Sequence, residues 1–195
     1  MIRHLLLFLS FNFCFSQQYS LYVASESDDT VSVLKFDGEN IEETDRITVG
    51  IMPTEIEGPH GITIDAEGKH WYLSMAHGSP NGYLVKYSTD NNEPLSRIEL
   101  GLFPATMQIS PVTGLLYVVN FNLHGEHEPS TVSIVDPEEM IEIKRVETGV
   151  MPHGSRLTND GLKQYSVAMM SGMLYEIDVL QFDISRTLFL SLIHI

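Results

Sequence analysis

Histidines carry the clearest chemistry in this chain of 195 residues. Two of them stand in closely similar phrases, "EGPHGITIDAEG" and "GVMPHGSRLTNDG", and others stand in polar segments such as "NFNLHGEHEPS". The candidate metal ligands are His60, His77, His124, His127 and His153. Several methionines lie close to them in the sequence, and imidazole with thioether is a ligand set that suits copper. These histidines are therefore candidates for a metal site, with copper as the candidate metal.

The segments that must position these histidines repeat along the chain. Tyrosine-centred segments, "LYVAS", "WYLSM", "LYVVN" and "QYSVA", recur every 45 to 50 residues, at Tyr22, Tyr72, Tyr117 and Tyr165. A second row, with segments such as "TVSVLKF" and "TVSIVDP", follows each tyrosine. A third row, marked by proline, precedes three of the tyrosines. Polar turns such as "DAEG" and "NDG" separate the segments, so each unit holds four short strands and no helix.

A repeat of this length, built from four strands, is typical of a β-propeller in which one unit forms one blade. Within a unit, strand A follows the proline, strand B carries the tyrosine, strand C is the "TVSV" row and strand D closes the blade. We expect an all-β partial ring of four-stranded antiparallel blades, with the first unit beginning at strand B. The predicted blades lie near residues 21–52, 59–101, 104–149 and 152–188 of a propeller region that spans 17–188.

The units resemble the YVTN-repeat β-propellers, whose modules carry the pattern "YVAN…TVSVID…VGxxPHGIAxxPDG". Here "LYVVN", "TVSIVD", "GVMPHG" and "TNDG" stand at the matching positions, and the resemblance extends from Leu21 to Arg186. Proteins with related propellers include surface-layer proteins, lactonase-like proteins, the haem-d domain of nitrite reductase and the copper propeller of nitrous oxide reductase. The resemblance implies the fold and a full ring of about seven blades. It does not select a function, because one fold hosts many functions.

The antiparallel order of the strands predicts where the histidines lie. In each blade the D-to-A loop and the B-to-C loop emerge at the same end. His60 and His153 fall in D-to-A loops, nearest the central channel, and His77, His124 and His127 fall in B-to-C loops. We call this end of the propeller, with its five histidines, the histidine face.

Each candidate residue also has a structural interpretation. His60 and His153 would then hydrogen-bond to the backbone or to a carboxylate of their own or the next blade, and the B-to-C histidines would be exposed loop residues. The nearby methionines would fill gaps in the core. Arg156, at a strand-A position, is a candidate for binding an anion in the channel, and a salt bridge to a neighbouring blade is the alternative.

The N-terminus predicts export. Arg3 precedes an apolar run from Leu5 to Phe15 that is too short to span a bilayer, and small residues precede a cleavage site after Ser16. Residues 1–16 therefore form a predicted signal peptide, and the protein is expected in the periplasm or outside the cell. The single cysteine, Cys14, lies within it. At the other end, residues 189–195 form a tail of doubtful origin that fits no repeat position.

The net charge of the chain limits the kinds of partner that it can bind. A formal net charge of −15 argues against nucleic acid, because a phosphate backbone requires a basic surface, and no segment of the mature chain is predicted to cross a membrane. The sequence predicts a binding or interaction scaffold that holds a protein or small-molecule ligand on the histidine face. The alternative is an enzyme, either a copper-dependent redox enzyme or a lactonase-like hydrolase, with its site at the channel mouth.

Overall fold

In a computed structural model of the chain, the structure describes residues 18–52, 54–77 and 81–190. Within these ranges the chain forms fifteen β-strands and no helix. The strands form four antiparallel sheets, each built from consecutive strands. The all-β fold of successive propeller-type blades is therefore confirmed. No helix in the described ranges is long and apolar enough to cross a membrane.

The four sheets are blades 1 to 4. Blade 1 has three strands, β1 (Tyr19–Ser25), β2 (Thr30–Phe36) and β3 (Ile41–Thr48). Blade 2 contains β4 (Pro59–Ile64), β5 (His70–Met75), β6 (Tyr83–Ser88) and β7 (Pro94–Glu99). Blade 3 contains β8 (Pro104–Ile109), β9 (Leu116–Asn120), β10 (Pro129–Asp136) and β11 (Ile141–Val150). Blade 4 contains β12 (Pro152–Leu157), β13 (Lys163–Ala168), β14 (Met173–Asp178) and β15 (Asp183–Phe189).

The repeated rows of the sequence match the strands. The four repeated tyrosines lie in β1, β5, β9 and β13, which are the B strands of the four blades. Blade 1 begins at its B strand among the described residues, as expected. The polar turns between strands A and B place Gly68, Gly114 and Gly161 at φ values of 69°, 73° and 70°, where glycine is favoured. The predicted signal peptide lies outside the described residues, and so does the tail from residue 191 onward.

The core lies between the blades. Between blades 1 and 2, Val31 packs against Trp71 and Leu73, and the Trp71 ring stacks on Tyr87 with ring centroids 3.9 Å apart. Two further buried clusters lie between blades 2 and 3 and between blades 3 and 4. All five residues of β9 are buried, because both faces of a central blade are covered.

The tyrosine row has a specific role in this stacking. The Tyr117 hydroxyl crosses from blade 3 to blade 4, where it donates to the carbonyl oxygen of Val179 at 3.1 Å. The Tyr22 hydroxyl crosses from blade 1 to blade 2 and donates to Oδ1 of Asn92 at 3.3 Å. Burial raises the pKa of Tyr72 to about 12. In blades 1 and 3 the tyrosine thus supplies apolar area to one interface and a polar link to the next blade, whereas the Tyr165 hydroxyl donates to Glu176 within blade 4.

Candidate functional site

Four of the five candidate histidines converge at one end of the blades. The Phe103 ring is their centre, with ring-centroid distances of 4.9 Å to His77, 5.5 Å to His124 and 5.6 Å to His60. His153 lies with its ring centroid 5.5 Å from His60. Phe121 joins the group through Phe103 at 5.6 Å and through His153 at 4.6 Å. We call these six residues the histidine cluster.

The strand-A histidines are positioned by a turn that repeats from blade to blade. His60 and His153 are the second residues of β4 and β12. The prediction that they lie in D-to-A loops is therefore wrong, because each strand already begins at the preceding proline. The residue before each strand-A proline adopts a left-handed backbone, with φ of 63° at Gly58, 53° at Phe103 and 54° at Met151. A left-handed residue therefore precedes strand A in three blades.

The first Pro-His-Gly phrase, at Pro59 to Gly61, also has a packing role. A Cβ atom on Gly61 would lie 1.9 Å from the carbonyl oxygen of Ala105, so only glycine allows blade 3 to approach this closely. The Ser74 hydroxyl accepts from the Gly61 N–H at 2.8 Å and donates to the Ala105 oxygen at 2.9 Å. Gly61 therefore allows blades 2 and 3 to pack closely beside the histidine cluster, whereas Gly154, the glycine of the second phrase, has no atom within 4 Å of its Cβ position.

A chain of polar contacts runs across three blades within this end of the molecule. Nδ1 of His77 lies 3.1 Å from Nε2 of His124, and Nε2 of His77 lies 3.0 Å from Oε1 of Glu26. Glu26 belongs to the B-to-C loop of blade 1, His77 to that of blade 2 and His124 to that of blade 3. When His77 donates its Nε2–H to the carboxylate, its Nδ1 carries a lone pair that faces His124.

The other two histidines form a less polar pair. Their rings meet edge to face, with an interplanar angle of 77°. Partial burial lowers the pKa of His60, the Glu26 carboxylate opposes this shift, and His153 and His77 add to it. Nδ1 of His60 is buried and has no hydrogen-bond partner among the described residues, so the hydrogen bond expected from a structural role is not formed at this nitrogen.

Two carboxylates, the half-buried Asp29 and the buried Glu57, hold the loop that precedes His60. Asp29 accepts from the backbone N–H groups of Glu57 and Gly58 at 3.0 and 2.8 Å. Glu57 accepts from the N–H of Met52 at 2.9 Å and from the Tyr83 hydroxyl. Burial raises the pKa of the Glu57 carboxyl, but these hydrogen bonds outweigh it, and the pKa lies below its usual range. The charged form is therefore the one that anchors the loop.

The remaining candidates lie apart from the cluster. His127 is exposed in the loop between β9 and β10. Arg156 is exposed on β12, and its Nη1 donates to the carbonyl oxygen of Ser155 at 3.2 Å. No group of three or more His, Cys, Asp or Glu side chains is positioned to hold a metal ion within residues 18–52, 54–77 and 81–190. The metal site of five histidines and the anion site at Arg156 stay predictions.

The surroundings of the cluster are apolar and acidic. Seven large apolar side chains on the B-to-C and D-to-A loops are exposed, namely Ile51, Met52, Ile56, Leu102, Leu123, Met169 and Met170. The same loops carry seven carboxylates and no lysine or arginine, the acids being Glu26, Asp28, Asp29, Glu55, Glu57, Glu126 and Glu128. His77 borders two clefts of about 340 and 470 Å³, and Met52 lines the first of them.

Sequence reasoning missed Phe103, Phe121 and Glu26. The repeat did contain a signal for the two rings, since Phe103 directly precedes the proline that begins β8 and Phe121 directly follows β9. Both positions are fixed by the strands, but the side chains there differ from blade to blade. Glu26 begins an acidic stretch that runs to Asp45, and nothing in the sequence distinguishes it from the other carboxylates of that stretch.

Comparison with known proteins supports the fold. A chain of hydrazine synthase from Kuenenia stuttgartiensis is structurally similar, with a TM-score of 0.70 and 16% sequence identity. The match covers 86% of this chain and 45% of the hydrazine synthase chain, so the chain spans less than half of that protein's length. No family model matches the sequence, and no curated protein matches it. At this identity the likeness shows the fold alone.

Proposed function

We propose that the chain is part of an exported YVTN-type β-propeller that binds a protein partner on its histidine face. The observation that carries the proposal is the set of seven exposed apolar side chains around a cluster of packed aromatic rings. Exposed apolar side chains gathered around one site, with polar groups among them, are typical of a protein interaction site. The predicted signal peptide supports a partner in the periplasm or outside the cell.

The charges indicate the chemistry of that partner. Because the loops of this face carry carboxylates and no lysine or arginine, a complementary surface would be basic around an apolar centre. Phe103 and Phe121 are buried and support the cluster, while Leu123 and Met170 are 39% and 61% exposed and are available for contact. A partner of this kind fits the face better than an anionic ligand does.

An enzyme of the copper-dependent or lactonase-like type is the alternative function. Catalytic zinc centres use three protein ligands and one open position, and a copper enzyme would need a comparable set of converging groups. The apolar and acidic surroundings are present on the described surface, whereas such a ligand set is not formed by the described residues. The described residues therefore favour the binding function over the enzymatic one.

Site-specific crosslinking in cells of the source organism tests the binding function. A photoreactive amino acid replaces Leu123 on the histidine face or, as the matched control, Val112, which is 50% exposed in a turn at the opposite end. We expect a defined protein adduct from position 123 and none from position 112, and we expect Met170→Asp to abolish it. Adducts of equal yield from both positions, or none from position 123, would contradict the proposal.

A further inference from the structure

The contact between His77 and His124 differs from the other ring contacts of the cluster because it brings two imidazole nitrogens together. We propose that Nδ1 of His77 and Nε2 of His124 form a two-histidine chelate for a transition-metal cation, with Cu²⁺ bound most tightly. The two nitrogens are 3.1 Å apart. With metal–nitrogen bonds of about 2.0–2.1 Å, this separation corresponds to a nitrogen–metal–nitrogen angle of about 100°. Such an angle suits neighbouring ligands of a tetragonal or tetrahedral ion.

Glu26 acts on this chelate from outside it. Its carboxylate lies 3.0 Å from Nε2 of His77, the nitrogen that faces away from the proposed metal. A histidine ligand typically donates its other ring N–H to a carboxylate, which fixes the tautomer and raises the basicity of the metal-binding nitrogen. Glu26 therefore holds His77 in the tautomer whose Nδ1 lone pair faces His124, and it is a positioning residue.

To accept a metal, the two rings must turn, because in the hydrogen bond the facing nitrogens point at each other and in the chelate both lone pairs point at the metal. With the Nδ1 lone pair of His77 facing Nε2 of His124, the Nε2–H of His124 donates across the 3.1 Å gap. A metal replaces this hydrogen bond when the proton of His124 moves to its Nδ1, which leaves both facing nitrogens unprotonated. His124 is exposed, so its Nδ1 can exchange protons with water. No net proton is released from the pair when both rings start neutral.

The environment of the pair favours a cation. The carboxylates of the surrounding loops supply a negative field, which raises the local concentration of cations. The cleft beside His77 is lined by Met52, whose thioether is a soft ligand suited to Cu(I), and by three carboxylates against one cation, Arg97. The two histidines supply two ligands, and water molecules would fill the remaining coordination positions of the metal.

Copper titration of the purified full chain, prepared without a histidine tag, tests the chelate. The His124→Ala variant is compared with His127→Ala, which removes another exposed histidine from the same loop. We expect His127→Ala to bind Cu²⁺ as the wild type does and His124→Ala to lose most of the affinity. Removal of the outer carboxylate in Glu26→Ala should weaken binding by about 10- to 100-fold, and Glu26→Gln, which keeps an acceptor oxygen, should restore part of it.

Electron paramagnetic resonance of the bound Cu²⁺ gives an independent result. Two imidazole nitrogens should couple to the metal in the wild type and one in His124→Ala. Equal affinity in the wild type and His124→Ala, or equal losses in His124→Ala and His127→Ala, would overturn the proposal. The inference rests on the histidine face that the proposed function uses. Because the titration needs no partner protein, its failure would be distinguishable from a failure of the crosslinking experiment.

Discussion

At the scale of single residues, Gly58 determines where the His77 ring lies. A Cβ atom on Gly58 would be 2.1 Å from Cδ2 of His77, and the backbone there has φ of 63°. The N–H of His77 donates to the carbonyl oxygen of Glu57 at 2.9 Å, so the loop before β4 and the ring of His77 are fitted to each other. An alanine at this position would disturb both the backbone conformation and the ring.

We predict that Gly58→Ala destabilises the protein by more than the backbone effect alone. The left-handed conformation costs an L-residue about 1–2 kcal/mol, and displacement of His77 adds to that cost. Gly68→Ala is the matched control, because Gly68 has φ of 69° and no atom within 4 Å of its Cβ position. Urea unfolding at low protein concentration should show a larger loss for Gly58→Ala, and equal losses would exclude a role for the His77 contact.

At the scale of elements, the strand-B tyrosines of blades 1 and 3 each link their blade to the next. We predict that Tyr117→Phe lowers the free energy of unfolding by about 1–3 kcal/mol, since it leaves a buried carbonyl without a partner. Tyr117 and Val179 are both fully buried, so water cannot replace the lost hydroxyl. Tyr19→Phe, at a tyrosine that is 48% exposed, should change stability little. The same urea titration measures both variants, and a Tyr117→Phe curve that matches the wild type would contradict this role.

The sequence predicted the strands well and the site only in part. Repeated tyrosines, prolines and turn glycines such as Gly114 and Gly161 specify local backbone structure, and each of these positions is found where the repeat placed it. The strand order also predicted the common end of His60, His77, His124 and His153. The central position of Phe103 was not predictable in this way, because it depends on how closely successive blades pack.

At the scale of the whole molecule, each outer blade has one face that no other blade covers among the described residues. In blade 3, the paired row of Val119, Val132 and Val146 is buried against blade 4. The equivalent row of blade 4 is Val167, Leu174 and Leu188, and Leu188 is 55% exposed. On blade 1, Leu21 and Val23 are 40% and 49% exposed, and no strand A lies beside β1 among the described residues. These surfaces have the composition of blade interfaces.

We predict that this chain, expressed alone, associates through these uncovered faces, because apolar sheet faces and open strand edges favour contact between copies. Leu188→Lys places a charge on the outer face of blade 4 and should reduce association. Leu180→Lys is the control, since Leu180 is 57% exposed in the turn before β15 and lies outside the paired row. Light scattering across a wide range of protein concentration measures the effect. A wild-type chain that stays monomeric throughout, or equal effects of the two substitutions, would show that the uncovered blade faces do not drive association.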